Sequence, residues 1–74
     1  MRIKIKLFAS LRVGRFDSAD RDLKEGSDVR AALREAGVPE KEAHVIFLNG
    51  KHAGPGAALR DGDTLSVFPL IGGG

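Results

Sequence analysis

The sequence predicts an α+β domain: a mixed sheet of four or five strands with one helix packed across it. Three observations carry this. The first eight residues alternate strictly between apolar and polar. One later segment has a single helical apolar stripe between two punctuated ends. Two further apolar runs are closed by an Asn-Gly pair and by a proline.

In residues 1–8, Met1, Ile3, Ile5 and Leu7 fall on one face, and Arg2, Lys4, Lys6 and Phe8 on the other, which is the period of a half-buried strand. Residues 10–14 read as a turn, and 15–23 as a polar second strand hairpinned to the first. Residues 27–37 are the helix. Ser27 or Asp28 can cap its first turn, and Val29, Ala32, Leu33 and Ala36 form the stripe. Gly37 suits the left-handed closing position, and Pro39 blocks continuation. Residues 44–48 are the next strand, ended by Asn49-Gly50, a strong hairpin signal. Residues 51–58 read as loop or a short extension, and Arg60-Asp61-Gly62-Asp63 as a second turn. Residues 64–68 are the last strand, stopped by Pro69. One short helix with one apolar face cannot stand alone, so it lies across the sheet. This order of elements is that of the ubiquitin-like β-grasp roll.

Strand parity then sorts the side chains. Ile3, Ile5, Leu7, Ile46, Leu48, Leu65 and Val67 face Val29 and Leu33 as the core. Phe8, Phe47 and Phe68, three of the four phenylalanines, share the opposite face. Large aromatics on a solvent face read as a docking patch, here rimmed by Arg2, Lys4 and Lys6.

Composition limits the chemistry. At 74 residues the chain is one domain. Twelve basic and ten acidic residues give a net charge of +2, too balanced to call for nucleic acid. The first 16 residues nevertheless hold five of the basic residues and no acid, an edge suited to an acidic partner surface. With no cysteine there is no disulfide, thiolate metal site or cysteine nucleophile. No apolar run approaches the ~20 residues that span a bilayer, and Arg2, Lys4 and Lys6 break any signal-peptide pattern. The expectation is a cytoplasmic protein without a membrane partner. His44 and His52 have no metal-ligand spacing around them, Asp61 and Asp63 are explained by a turn, and no glycine cluster forms a phosphate loop. The chain reads as something other than an enzyme.

The end of the sequence resists a bland reading. Phe68-Pro69-Leu70-Ile71-Gly72-Gly73-Gly74 follows directly on a core strand. Glycines without Cβ atoms make the thinnest peptide that threads a narrow channel. Six residues from Pro69 reach at most about 20 Å. The α-carboxylate at the tip is ionised, with a reference pKa of roughly 3.3–3.7. It becomes an electrophile only after a leaving group is attached, and the chain has no apparatus for that. The expected organisation is therefore a folded domain over 1–69 and a flexible, reactive glycine-rich tail over 70–74.

Leu7-Phe8-Ala9-Ser10-Leu11-Arg12, the Leu59-Arg60-Asp61-Gly62-Asp63-Thr64 turn and the Phe68-Pro69…Gly73-Gly74 end together resemble the MoaD/ThiS ubiquitin-like sulfur-carrier family, over essentially the whole chain. The resemblance implies a carrier that binds no cofactor. An ATP-dependent E1-like activating enzyme adenylates Gly74, next to Gly73, and a sulfur donor converts the adenylate to a thiocarboxylate. The sulfur is then delivered inside a synthase. Phe8, Phe47, Phe68, Pro69, Leu70, Ile71 and Gly72 would meet the partners. The Leu-Phe-Ala-Ser-Leu-Arg stretch and Phe68-Pro69 look more like the molybdopterin branch, whose partner is the molybdopterin synthase large subunit. Leu70, Ile71 and Gly72 depart from that branch's usual Phe-Pro-Pro-Val ending. The alternatives are a carrier for the thiamine thiazole, or a ubiquitin-like modifier joined to lysine.

Overall fold

The computed structural model describes residues 1–70. Five strands and one helix follow in the order β1 (Arg2–Leu7), β2 (Ser18–Asp22), α1 (Val29–Ala36), β3 (Val45–Leu48), β4 (Lys51–His52) and β5 (Thr64–Phe68). The sheet order is β2-β1-β5-β3-β4. β1 and β5 run parallel at its centre, and the other neighbours are antiparallel. The expected β-grasp roll is the observed fold.

Period-two alternation in β1 leaves Ile3, Ile5 and Leu7 fully buried, and Leu65 and Val67 of β5 join them. Val29, Ala32, Leu33 and Ala36 of α1 close the core from the helix side. Leu11, Val38 and Leu59 are also buried, although all three lie outside regular strands and helices. Leu48, expected in the core, is half-buried and packs against its margin.

Several expectations need correction. The 10–14 turn is a 3₁₀ turn over Ala9–Arg12, entered through Ala9 at φ +53°. Its tight three-residue turn points Leu11 inward, so a segment read as mere connection supplies core. The second strand is shorter than 15–23 because Gly14 reverses the chain and pairing with β1 begins only at Ser18. The helix cap is Asp28 rather than Ser27. Asp28 Oδ1 accepts the Ala31 N–H at 3.0 Å, whereas Ser27 Oγ donates to the Lys24 carbonyl. The Pro55 and Ala57 carbonyls accept the N–H groups of Arg30 and Val29, at 2.8 and 2.9 Å. The 51–58 loop thus completes the helix N-terminus, and only Lys51–His52 of it is strand. At the other end Gly37 takes φ +75°, as the closing position requires. Asn49 and Gly50, at φ +52° and +82°, form the two-residue hairpin loop that fixes Phe47 opposite His52.

Candidate functional site

The outer face of the sheet is assembled by register. Phe47 and Ser66 are partners across β3 and β5, as are Val45 and Phe68. The Phe8 N–H donates to the Val67 carbonyl, which extends β1 far enough to set Phe8 beside Phe68. The Phe8 and Phe68 rings are stacked, with centroids 4.2 Å apart and planes 13° from parallel. Phe47 stands edge-on to Phe68 at 5.8 Å, and His52 stands edge-on to Phe47 at 4.9 Å. Both geometries suit the ring quadrupole. All three phenylalanines are half-buried: each ring covers its neighbour and still presents surface to solvent.

Two groups that the sequence reading left out belong to this cluster. Arg12 lies 5.4 Å from the Phe8 ring centroid, held there by its Nε–H bond to the Leu7 carbonyl at 2.8 Å and by Asp17 at 3.6 Å. Phe8 therefore meets both a guanidinium and a stacked ring. His52 enters through the hairpin register, a signal available in the Asn49-Gly50 turn because a two-residue loop fixes every pair behind it.

The expected basic rim is only partly present. Arg2 sits at the far end of β1, about 20 Å from Phe8 along an extended strand. There its guanidinium bonds the Asp22 carboxylate at 3.2 Å. That hydrogen bond and the added charge attraction hold the Asp22 carboxyl below its ordinary pKa and raise Arg2 in return. Lys4 and Lys6, by contrast, are exposed on the face itself.

A groove of about 400 Å³ opens beside the rings, lined by His44, Val45, Phe47, Phe68, Pro69 and Leu70. The His44 N–H donates to the Phe68 carbonyl at 3.0 Å, which ties the end of β5 to the start of β3. Pro69 is buried, and Leu70, 66% exposed, leads away from it. The expectations for Ile71, Gly72, Gly73 and Gly74, including tail mobility, lie outside the described residues. Among the described residues no group of His, Asp or Glu could hold a metal ion, and no helix is long and apolar enough to cross a membrane. Asp63 closes its turn as expected, accepting from the Arg60 N–H, and it also accepts from the Asn49 amide. Asp61 Oδ1 instead accepts from the Arg2 N–H and ties the turn to the start of β1.

Fold and face together define a ubiquitin-like β-grasp protein whose last strand leads into Pro69 and Leu70 beside an aromatic cluster. The ThiS family model matches residues 5–74, and the chain belongs to that family, the MoaD/ThiS ubiquitin-like sulfur carriers. Its members act as carriers rather than as enzymes. Among solved structures, the putative molybdopterin converting factor subunit 1 of Pyrococcus furiosus is 30% identical, with a TM-score of 0.77 over 96% of this chain and 99% of that one. SAMP1 of Haloferax volcanii has a TM-score of 0.80 at 24% identity, covering all of both chains. The complex of subunits 1 and 2 of the Helicobacter pylori molybdopterin-converting factor matches at 0.65 and 22%, again over both chains in full. The last two are likenesses of fold. No curated protein matches by sequence.

Proposed function

We propose that this sulfur carrier holds its sulfur as a thiocarboxylate on Gly74, made and unloaded by partners that dock on the aromatic face. An oxygen of the Gly74 carboxylate attacks the α-phosphorus of ATP in the activating enzyme and expels pyrophosphate. Sulfur at the oxidation level of sulfide then attacks the acyl carbon and expels AMP. The observation that carries this reading is the exit of β5 into Pro69 and Leu70, along the wall of the groove that Phe47 and Phe68 line. A partner that seizes the rings also receives the tail. The chain's own residues supply docking and reach, and the activating enzyme supplies the nucleotide chemistry.

For the destination of the sulfur, the molybdopterin reading draws support from the Pyrococcus furiosus relative, at 30% identity. The wider reading has broader support, because the matching family model carries the ThiS name and the fold is shared with SAMP1. The thiazole and lysine-modifier alternatives therefore stand beside the molybdopterin one. One experiment separates all three. The chain is loaded with labelled sulfide by its activating enzyme and ATP, then added to extract of the source organism. Label in a pterin dithiolene supports the molybdopterin branch, and label in a thiazole supports the thiamine branch. Isopeptide-linked Gly74 on lysines, with sulfur released, supports the modifier.

A further inference from the structure

The charges of β1 are compensated unevenly along the outer face. Arg2 is bound to Asp22 across the strand pair. Lys4 lies opposite Asp20 on one side and Thr64 on the other. Lys6, two residues from Phe8, lies between Ser18 and Ser66. Among the described residues no carboxylate comes within ion-pair distance of Lys4 or Lys6. Along β1 the charge is thus neutralised at Arg2 and left without an ion pair at Lys6, while beside the rings Arg12 is paired with Asp17.

We propose that Lys6 is a specificity-determining contact of the docking face, and that the partner surface it meets carries a carboxylate beside an apolar socket. This rests on the carrier reading above, in which the partner is the activating enzyme. The physical reason is proximity. Two residues along a strand span roughly 7 Å, so a partner that covers Phe8 and Phe68 brings its rim over Lys6. An ammonium overlaid without a partner loses hydration with nothing in return, whereas a facing carboxylate restores it and also steers the encounter. The serines on either side put no carboxylate directly opposite Lys6, and the nearest acid on that face of β2 is Asp20, opposite Lys4. The lysine stem can lie along the apolar patch with its head at the edge.

The test measures association of the full 74-residue chain with the source organism's activating enzyme by stopped flow, at ~0.05 M and ~0.5 M salt. Lys6→Glu is expected to slow association about tenfold at low salt and to differ little from wild type at high salt. Lys6→Gln should fall between them. Lys24→Glu makes the same charge change away from the rings and should alter the rate less than about twofold. Circular dichroism and the melting temperature check that each variant is folded, as expected for an exposed side chain. If Lys6→Glu and Lys24→Glu slow association equally, or if the loss persists unchanged at high salt, the inference is overturned. Wild type that docks with this charge dependence but never gains sulfur defeats the carrier chemistry and leaves the contact standing. Wild type that fails to dock at all defeats both.

Discussion

On the helix side of the sheet, Ile3, Ile5, Leu65 and Val67 are fully buried, while Lys4, Lys6, Ser66 and Phe68 of the same two strands face outward and remain at least partly open to solvent. Adjacent residues, one backbone and one set of hydrogen bonds thus serve two tasks. The inner face excludes water permanently. The outer face holds its rings in stacked and edge-on pairs, ready for a surface that another protein would complete. The difference teaches that stability and the docking role proposed for the outer face would be separable in this molecule, because successive side chains of a strand point to opposite faces.

Breaking the inner face should have the largest effect. Leu33→Ala removes a buried side chain from the middle of α1 and should cost about 2–5 kcal/mol in urea unfolding. For a small domain near the low end of ~5–15 kcal/mol, the upper end of that cost would unfold about half of the population. Phe68→Ala sharpens the comparison from the other side. It removes the ring that contacts both Phe8 and Phe47, and should weaken partner binding by about 1–3 kcal/mol in calorimetric titration. The melting temperature should fall far less than for Leu33→Ala. Unchanged affinity would remove the aromatic face from the docking account.

Smaller effects test how the faces are held in place. Asp28→Ala deprives the Ala31 N–H of its acceptor and should cost about 1 kcal/mol, while Ser27→Ala should cost less. A larger loss for Ser27→Ala than for Asp28→Ala would give the cap to Ser27. The smallest expected effect is electrostatic. Asp22 and Glu40 titrate below their ordinary range, chiefly through hydrogen bonds from the guanidinium groups of Arg2 and Arg30 respectively. A depressed carboxyl adds stability above its unfolded pKa, near 4, and loses it as pH falls through the folded value. Arg2→Gln should therefore lower the melting temperature slightly at neutral pH, and the difference should vanish near pH ~2. Both pairs are exposed, so added salt should shrink the effect.

The regular parts of this arrangement were legible in the sequence for simple reasons. Alternation in β1 and β5 and the stripe on α1 are local periodicities, and each sorts core from surface directly. The three rings could be assigned to one face because parity is preserved along paired strands. What escaped the reading depends on chain reversal. Leu11 is buried through a 3₁₀ turn that no periodicity announces. Leu59 is buried in a segment with no regular pattern, and the Pro55 and Ala57 carbonyls find the helix N-terminus from far along the chain. Arg12 reaches Phe8 only because that same turn folds back on the end of β1. The rim was misjudged at Arg2 because parity assigns a face and says nothing of distance along it.

The claim at the centre of the account is that chemistry belongs to the Gly74 carboxylate while the folded domain supplies docking. It is tested most directly by intact mass after incubation with activating enzyme, ATP and a sulfur source. Wild type should show one oxygen replaced by sulfur at its C-terminal residue. Deleting Gly74 draws the carboxylate back by about 3.5 Å, far more than the ~1 Å misplacement that already costs about a hundredfold. That variant should gain no sulfur, although it keeps the folded domain and both faces intact. Sulfur loading of the shortened chain at the wild-type rate would contradict the account.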